Sequence, residues 1–195
     1  MQKEPLFTNQ AYLNRLALSM DDTNHIDPYW VITDFFCFGS LAEMKERLEK
    51  TCKAALVEKY NWKQGCPGNL LYFYERLEKL VEACFLITSS SKYKNRLVKK
   101  AKQGKLKEIE SNPLLPCSLS AAELNDPLSV LQSFFQFHDL KRWKQDIYAW
   151  MEAGLSDFTV LENIAPKNLI TYHHHLQKLL DACWYINLLV NSKKT

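Results

Sequence analysis

The stretch Asp27-Pro-Tyr-Trp-Val-Ile-Thr-Asp-Phe-Phe-Cys-Phe38 has a counterpart 99 residues later, Asp126-Pro-Leu-Ser-Val-Leu-Gln-Ser-Phe-Phe-Gln-Phe137. The same offset relates residues 27–87 to residues 126–186 without a gap, and 19 of the 61 aligned positions are identical. Composition alone would match roughly four positions. The chain therefore contains an internal duplication, and this duplication decides the predicted fold.

The residues shared by the two copies are mostly apolar: 15 of the 19 are Ala, Val, Leu, Ile, Phe, Cys or Pro. The four polar matches are Asp27/Asp126, Lys45/Lys144, Asn69/Asn168 and Lys79/Lys178. Asp before Pro is typical of a helix start, with Asp as the N-cap and Pro at the first helical position. The two asparagines each precede an apolar run and are predicted to be N-caps. The shared residues thus indicate common packing and capping rather than common chemistry.

Each copy is predicted to contain three helices, because its apolar residues recur at spacings of three and four. The first helix covers residues 28–38 and, in the second copy, 127–137. The second begins at Ser40, where Glu43 completes a capping box, and runs to about residue 58; its counterpart begins at Asp139 and stops at Gly154. The third follows a loop containing Pro67 or Pro166.

The whole chain is predicted to be all-α and to form one domain, residues 1–195. A unit of about 60 residues is marginal alone, so the two three-helix units are expected to pack about a pseudo-twofold axis as one helical bundle. An open solenoid is the less favoured arrangement, since two units are too few for an extended array. A leading amphipathic helix is expected at residues 8–20, and residues 88–125 form a basic connector with a helix of its own.

The composition and hydropathy of the chain are not those of a disordered, a secreted or a membrane-spanning protein. Apolar residues make up 47% of the chain and charged residues 24%, which is typical of a globular protein. The sequence shows neither a secretory signal nor a run of eighteen apolar residues. The six cysteines form no C-x-x-C pair. They are expected to be buried free thiols in a reducing cytoplasm, which is the predicted location.

The most unusual local feature is the lysine-rich segment from residue 92 to residue 107, which holds eight basic residues and no acidic one. These are Lys92, Lys94, Arg96, Lys99, Lys100, Lys102, Lys105 and Lys107. Helical spacing of Tyr93, Leu97 and Ala101 would dock one face of the segment and leave the lysines outward. Such a stripe suits phosphate contacts to nucleic acid, or else an acidic protein or lipid surface. A solvated connector is the simpler interpretation.

The run His173-His174-His175 resembles a metal site, but consecutive helical residues point about 100° apart and cannot all face one ion. Neither metal nor cofactor is therefore predicted. His173 is expected near the apolar stripe, within reach of His138 or Asp139. The aromatic clusters are interpreted chiefly as core. A pocket between the copies is the alternative, and its candidate residues are Trp30, Phe36, Phe135, His138, Trp143 and His173.

No residue pattern argues for an enzyme: the chain has no G-x-S-x-G, no glycine-rich phosphate loop and no H-E-x-x-H. The favoured function is a non-enzymatic interaction or regulatory module that binds a protein partner, or a second copy, at the groove between the repeats. The alternatives are a nucleic-acid-binding accessory protein that uses residues 92–107, and a small-molecule binder or enzyme with a cleft between the repeats.

Overall fold

The computed structural model describes residues 27–56, 66–103, 118–157, 159–162 and 165–191. Within these ranges it has eight α-helices, one 3-10 turn at Val160–Glu162 and no strand. The helices are α1 (Pro28–Phe36), α2 (Leu41–Ala55), α3 (Pro67–Ser89), α4 (Ser91–Gln103), α5 (Ala121–Asn125), α6 (Pro127–Phe137), α7 (Leu140–Gly154) and α8 (Pro166–Asn191). The predicted all-α class is confirmed for this part of the chain, whereas the expected helix at residues 8–20 lies outside it.

Three helix starts follow the predicted capping. The Tyr29 N–H donates to Asp27 Oδ1 over 3.0 Å at the start of α1. The Ser40 and Glu43 pair forms the expected capping box of α2. At α7 the Arg142 N–H donates to Asp139 Oδ1 over 2.7 Å. Side-chain oxygens here satisfy backbone donors that have no partner within the helix.

The two asparagines do not cap, contrary to prediction. α3 begins at Pro67, with Cys66 as the N-cap, and α8 begins at Pro166. Asn69 and Asn168 therefore lie inside the first turn. The reason is the fixed φ of proline, which already suits the first helical position and starts each helix three residues earlier.

The second helix of each half of the chain packs on the third helix of the other half. α2 packs against α7 and α8, while α7 packs against α2 and α3. α1 and α6 pack against both long helices, α3 and α8. The first half of the chain (27–87) and the second half (126–186) are therefore interleaved and share one core.

Contacts between the halves occur in pairs that the 99-residue offset relates. Lys45 Nζ lies 2.6 Å from Asp181 Oδ1, and Lys144 pairs with Glu82 at the equivalent positions. The same offset relates two aromatic pairs: Phe36 with Trp184, at 5.0 Å between ring centroids, and Phe135 with Phe85, at 5.4 Å. The Sγ atoms of Cys84 and Cys183, which are equivalent to each other, are 3.3 Å apart.

The junction between the halves is filled by side chains. Leu48, Cys84 and Cys183 are fully buried there, and Trp150 is 2% exposed. These residues belong to one continuous apolar cluster. Burial of this much apolar surface in a single cluster is what stabilises the interleaved halves together.

The basic helix α4 lies against the same core. Leu97 is fully buried, and Tyr93 and Ala101 are half-buried against the apolar cluster. This is the docking that the spacing of these residues predicts. None of the helices in the described ranges is long and apolar enough to cross a bilayer.

Candidate functional site

A cluster of aromatic and histidine rings lies where α6 ends and α7 begins, beside the middle of α8. His138 is in contact with Trp143, at 5.4 Å between ring centroids, and with Tyr172, at 5.0 Å. Phe137 stacks on His175 at 4.2 Å, with the two rings 26° from parallel. α8 therefore brings His175, rather than His173, to the His138 side of the bundle.

The His138 imidazole faces a buried carboxylate at a distance too long for a hydrogen bond: 3.9 Å separates Nε2 from Asp146 Oδ2. Asp146 is instead occupied by Arg142, whose Nε donates to Oδ2 over 3.2 Å. Burial raises the pKa of Asp146, while Arg142 and His138 act in the opposite direction. The arrangement is a buried ion pair next to a histidine and supplies no aligned acid–base dyad.

A groove of about 90 Å³ opens beside this cluster. Its polar lining comes from Ser133 on α6, from His174, His175 and Lys178 on α8, and from Glu123 on α5. Lys178 Nζ lies 2.5 Å from Glu123 Oε1. Burial lowers the pKa of His175, and the nearby His174 and Lys178 lower it further. The groove thus concentrates nitrogen donors around a small space.

The first half carries a different structure at the equivalent place. The Arg76 guanidinium lies 3.7 Å from the ring centroid of Phe38 and donates from Nη2 to Asp34 Oδ2 over 3.0 Å. Phe38 also packs edge-on against Tyr72, at 5.7 Å. Phe38 is 50% exposed and Tyr72 43% exposed. Aromatic rings that are held in place by an arginine are thus open to solvent here.

Trp30 extends this surface. It is 58% exposed and lies one helical turn before Asp34 on α1. We call the surface formed by Trp30, Asp34, Phe38 and Tyr72, with the largely buried Arg76 that supports it, the aromatic face. Its composition matches the residue types that dominate binding energy at protein interfaces, namely Trp, Tyr and Arg.

The other predicted pocket residues occupy separate surroundings. Phe36 packs on Trp184 and Phe135 packs on Phe85, so each bridges the two halves. His173 stacks on Trp150 with ring centroids 6.4 Å apart. Burial lowers the pKa of His173, and the neighbouring charge of Glu49 opposes the shift. The three consecutive histidines point different ways, as their 100° spacing requires.

Six of the eight predicted basic residues lie in the described part of α4. Lys92, Lys99 and Lys102 are exposed on its outer side, while Lys94 and Lys100 are half-buried at its flanks. Arg96 Nη1 lies 3.0 Å from Asp27 Oδ2. Lys105 and Lys107 lie outside the described residues. The helix thus presents lysines outward, as predicted.

The described cysteines differ in their burial. Cys84 and Cys183 are buried, as expected, whereas Cys37 and Cys66 are exposed and Cys52 is half-buried. Within the described ranges no three His, Cys, Asp or Glu side chains converge at a distance that would hold a metal ion.

The aromatic face and the groove were missed at the sequence level, although a signal for both was present. Asp34 and Arg76 in the first half become Ser133 and His175 in the second half, within otherwise similar helices. The positions where the copies differ in charge include these four residues, but they also include others, such as Arg47/Asp146 and Lys53/Glu152.

Comparison of the chain with protein-family models, with curated proteins and with solved structures finds no match.

Proposed function

We propose that the protein is a non-enzymatic helical interaction module that binds a protein partner through its aromatic face. The observation that carries this proposal is that Phe38 and Tyr72 are exposed and in contact with each other, while Trp30 is exposed on α1, the helix that carries Asp34. Contiguous exposed aromatic surface on a globular protein is typical of binding sites. The residues at the repeat junction are buried, so the proposal places the partner on this outer face rather than in a groove between the repeats.

Preorganisation supports the proposal. Arg76 fixes Phe38 from beneath and is itself held by Asp34, whose side chain is one-third exposed. A ring that is already ordered loses little conformational entropy when a partner covers it. The Asp34 carboxylate, which is one-third exposed beside the rings, would supply a polar contact at the rim of an interface.

The proposed scaffold behind this face is a pair of repeats related by a pseudo-twofold axis. The reciprocal pairs Lys45–Asp181 and Lys144–Glu82 support it, because an isologous arrangement requires each contact to occur twice. The contact between the equivalent Cys84 and Cys183 would then lie on the axis. The exposed free thiols Cys37 and Cys66 support a reducing compartment such as the cytoplasm.

Site-specific photo-crosslinking tests the proposed surface. A photoreactive amino acid is placed at position 30, 38 or 72. The matched control is position 148, because Tyr148 is 47% exposed on α7, which contributes no residue to the aromatic face. The experiment is run in cells of the organism that encodes the protein. We expect one adduct of constant mass from the first three positions and none from position 148.

Two outcomes distinguish the partners and one contradicts the proposal. An adduct of twice the chain mass identifies a second copy, and any other constant mass identifies a different protein. Trp30→Ser combined with Phe38→Ser should lower the yield at position 72 at least tenfold, as expected when anchor residues are removed. Equal yields at positions 72 and 148, or no adduct at all, would contradict a partner on this face.

A second candidate function is binding of nucleic acid by α4, favoured by the outward lysines. The apolar side of α4 is engaged by the core through Leu97, so it is not available to insert into a lipid surface. Lysines on a docked, rigid helix can still contact successive phosphates. This favours nucleic acid over a membrane as the anionic partner.

Salt-dependent affinity tests this candidate. Fluorescence anisotropy with single-stranded and duplex DNA is compared for Lys92→Gln/Lys99→Gln/Lys102→Gln and for the control Lys50→Gln/Lys53→Gln/Lys141→Gln, which makes the same change in net charge. The first triple variant should reduce the slope of log affinity against log salt by about three, and the control should leave it unchanged. Equal effects of both variants would show only nonspecific attraction.

A further inference from the structure

The groove in the second half is lined by the equivalents of two residues that form an ion pair in the first half. Ser133 and His175 stand at the positions of Asp34 and Arg76. In the first half the Asp34 carboxylate receives a hydrogen bond of 3.0 Å from the guanidinium. In the second half the shorter serine side chain replaces that carboxylate, and a groove of about 90 Å³ lies beside it.

The second half keeps an aromatic ring against its nitrogen donor, although it has no carboxylate at the position of Asp34. Arg76 lies against the ring of Phe38, and His175 stacks in the same way on the ring of Phe137, which is the equivalent phenylalanine. The nitrogen donor is therefore held by an aromatic ring in both halves. The second half therefore differs in two ways: Ser133 replaces the carboxylate that accepts the hydrogen bond, and the His175 imidazole replaces the guanidinium that donates it.

The acidic residue already in the groove has its own partners. Glu123 Oε2 accepts hydrogen bonds of 2.9 Å from both the backbone N–H and the hydroxyl of Ser120, and its Oε1 is paired with Lys178. These contacts lower the pKa of Glu123 despite its partial burial. The other donors that line the groove are on Ser133, His174 and His175, and the two histidines lie one helical turn before Lys178 on α8.

We propose that this groove binds a carboxylate group, which takes the place that the Asp34 carboxylate occupies in the first half. The volume equals that of about three water molecules, which suits the three heavy atoms of a carboxylate. The carboxylate belongs either to a small organic acid or to an acidic side chain of a polypeptide. The inference uses the Asp34–Arg76 contact as its comparison but does not depend on whether a protein partner binds the aromatic face.

Binding should tighten as the pH falls. The groups that face His175 are His174 and Lys178 on α8, Glu123 on α5, and His138 before α7 with Asp146 behind it. Burial lowers the pKa of His175, and the neighbouring His174 and Lys178 lower it further. A bound carboxylate favours the protonated imidazole, and by linkage protonation favours the carboxylate. Affinity should therefore be higher at about pH 5.5 than at about pH 7.5.

Nuclear magnetic resonance of the histidine imidazoles in the full chain tests the proposal. The probes are sodium acetate and a capped Ala-Asp-Ala tripeptide. We expect saturable shifts of the His175 signals and none of the His173 signals, because His173 faces Trp150 instead. Ser133→Asp should weaken binding at least tenfold, since it supplies a carboxylate from the chain as Asp34 does. His175→Phe should do the same, and the control His173→Phe should bind like the wild type.

Each remaining outcome has a defined meaning. A tripeptide that binds at least tenfold more tightly than acetate assigns the carboxylate to a polypeptide, and equal affinities assign it to a small acid. The proposal is overturned if neither probe shifts the His175 signals, or if sulfate binds as tightly as acetate. It is also overturned if a folded Ser133→Asp variant binds acetate like the wild type. Failure of crosslinking at the aromatic face would leave all these readouts unaffected.

Discussion

Lys45 and Lys144 each hold an ammonium group against a carboxylate that is fully buried. The carboxylates of Asp181 and Glu82 have no exposed surface, and the lysines are 23% and 12% exposed. Removing a carboxylate from water costs several kcal/mol unless an opposite charge and hydrogen bonds compensate. The two pairs link the halves, so their effect on stability is also an effect on how the halves are joined.

Replacing Lys45 by methionine should destabilise the fold by about 3 kcal/mol at neutral pH. The substitution keeps the apolar stem but leaves the buried Asp181 carboxylate without its ammonium partner, and breaking such pairs costs about 3–5 kcal/mol. The partial exposure of Lys45 places the effect at the low end of that range. Urea unfolding measures it. Lys53→Met removes only an exposed pair with Glu49 on one helix and should leave the urea midpoint close to that of the wild type.

The loss in the Lys45→Met variant should shrink at low pH. Burial raises the pKa of Asp181, and Lys45 partly opposes that shift. A carboxyl group whose pKa is raised by folding contributes stability at low pH and loses it as the pH rises through the folded-state pKa. Without Lys45 this loss is larger. The difference in unfolding free energy between variant and wild type should therefore be smaller at about pH 4 than at about pH 7; an equal difference would argue against a charged Asp181.

At the scale of the helix, the apolar spacing predicted the elements well and their ends less well. α1 and α6 were expected at residues 28–38 and 127–137, and they span Pro28–Phe36 and Pro127–Phe137. Starts marked by Ser40 and Asp139 were correct, because those side chains have a backbone donor to satisfy. Starts assigned to Asn69 and Asn168 were wrong, because proline competes for the first helical position. The start of a helix depends on such local residues, and at these two helices the asparagine and the proline indicate different starts.

Gly154 illustrates a role that spacing alone does not reveal. It was expected to stop α7, and it is the last residue of that helix. It also packs closely against the first half of the chain. A Cβ atom added at position 154 would be 3.0 Å from Leu70 Cδ2 and 3.6 Å from Ala54 Cβ. The missing side chain allows the end of α7 to approach α2 and α3 closely.

Substitution of Gly154 should therefore depend on size. Gly154→Ala gains helix propensity of about 1 kcal/mol but crowds Leu70, so its net effect should stay within about 1 kcal/mol. Gly154→Val should destabilise by about 1–3 kcal/mol through overpacking. Thermal and urea unfolding measure both. The control is Gly68→Val, because Gly68 is exposed beside Cys66. This substitution should change the free energy of unfolding by less than about 0.5 kcal/mol. Equal effects at the two glycines would contradict the close approach.

At the scale of the whole molecule, the second helix of each half packs on the third helix of the other half, and the sequence could not predict this exchange. The spacing of Met44 and Leu48 shows which face of α2 is apolar, but an apolar face is satisfied by any complementary face. The structure covers it with α7 and α8 rather than with the adjacent α3. Similarly, the sequence favoured core for Phe36 and Phe135 and left a pocket open as the alternative, and these rings pack between the halves.

This exchange predicts that the halves remain together when the chain is cut. A specific protease site is introduced between residues 104 and 117, and the purified protein is cleaved. The fragments should co-elute at the position of the 22.8 kDa chain, because α2 of one fragment packs on α7 and α8 of the other. They should separate only in denaturant, with coincident loss of helical circular dichroism and of the tryptophan signal, as in one cooperative unit. Uncut protein treated identically is the control. Fragments that separate without denaturant while each stays helical would mean that the halves fold independently, which the buried pairs Lys45–Asp181 and Lys144–Glu82 argue against.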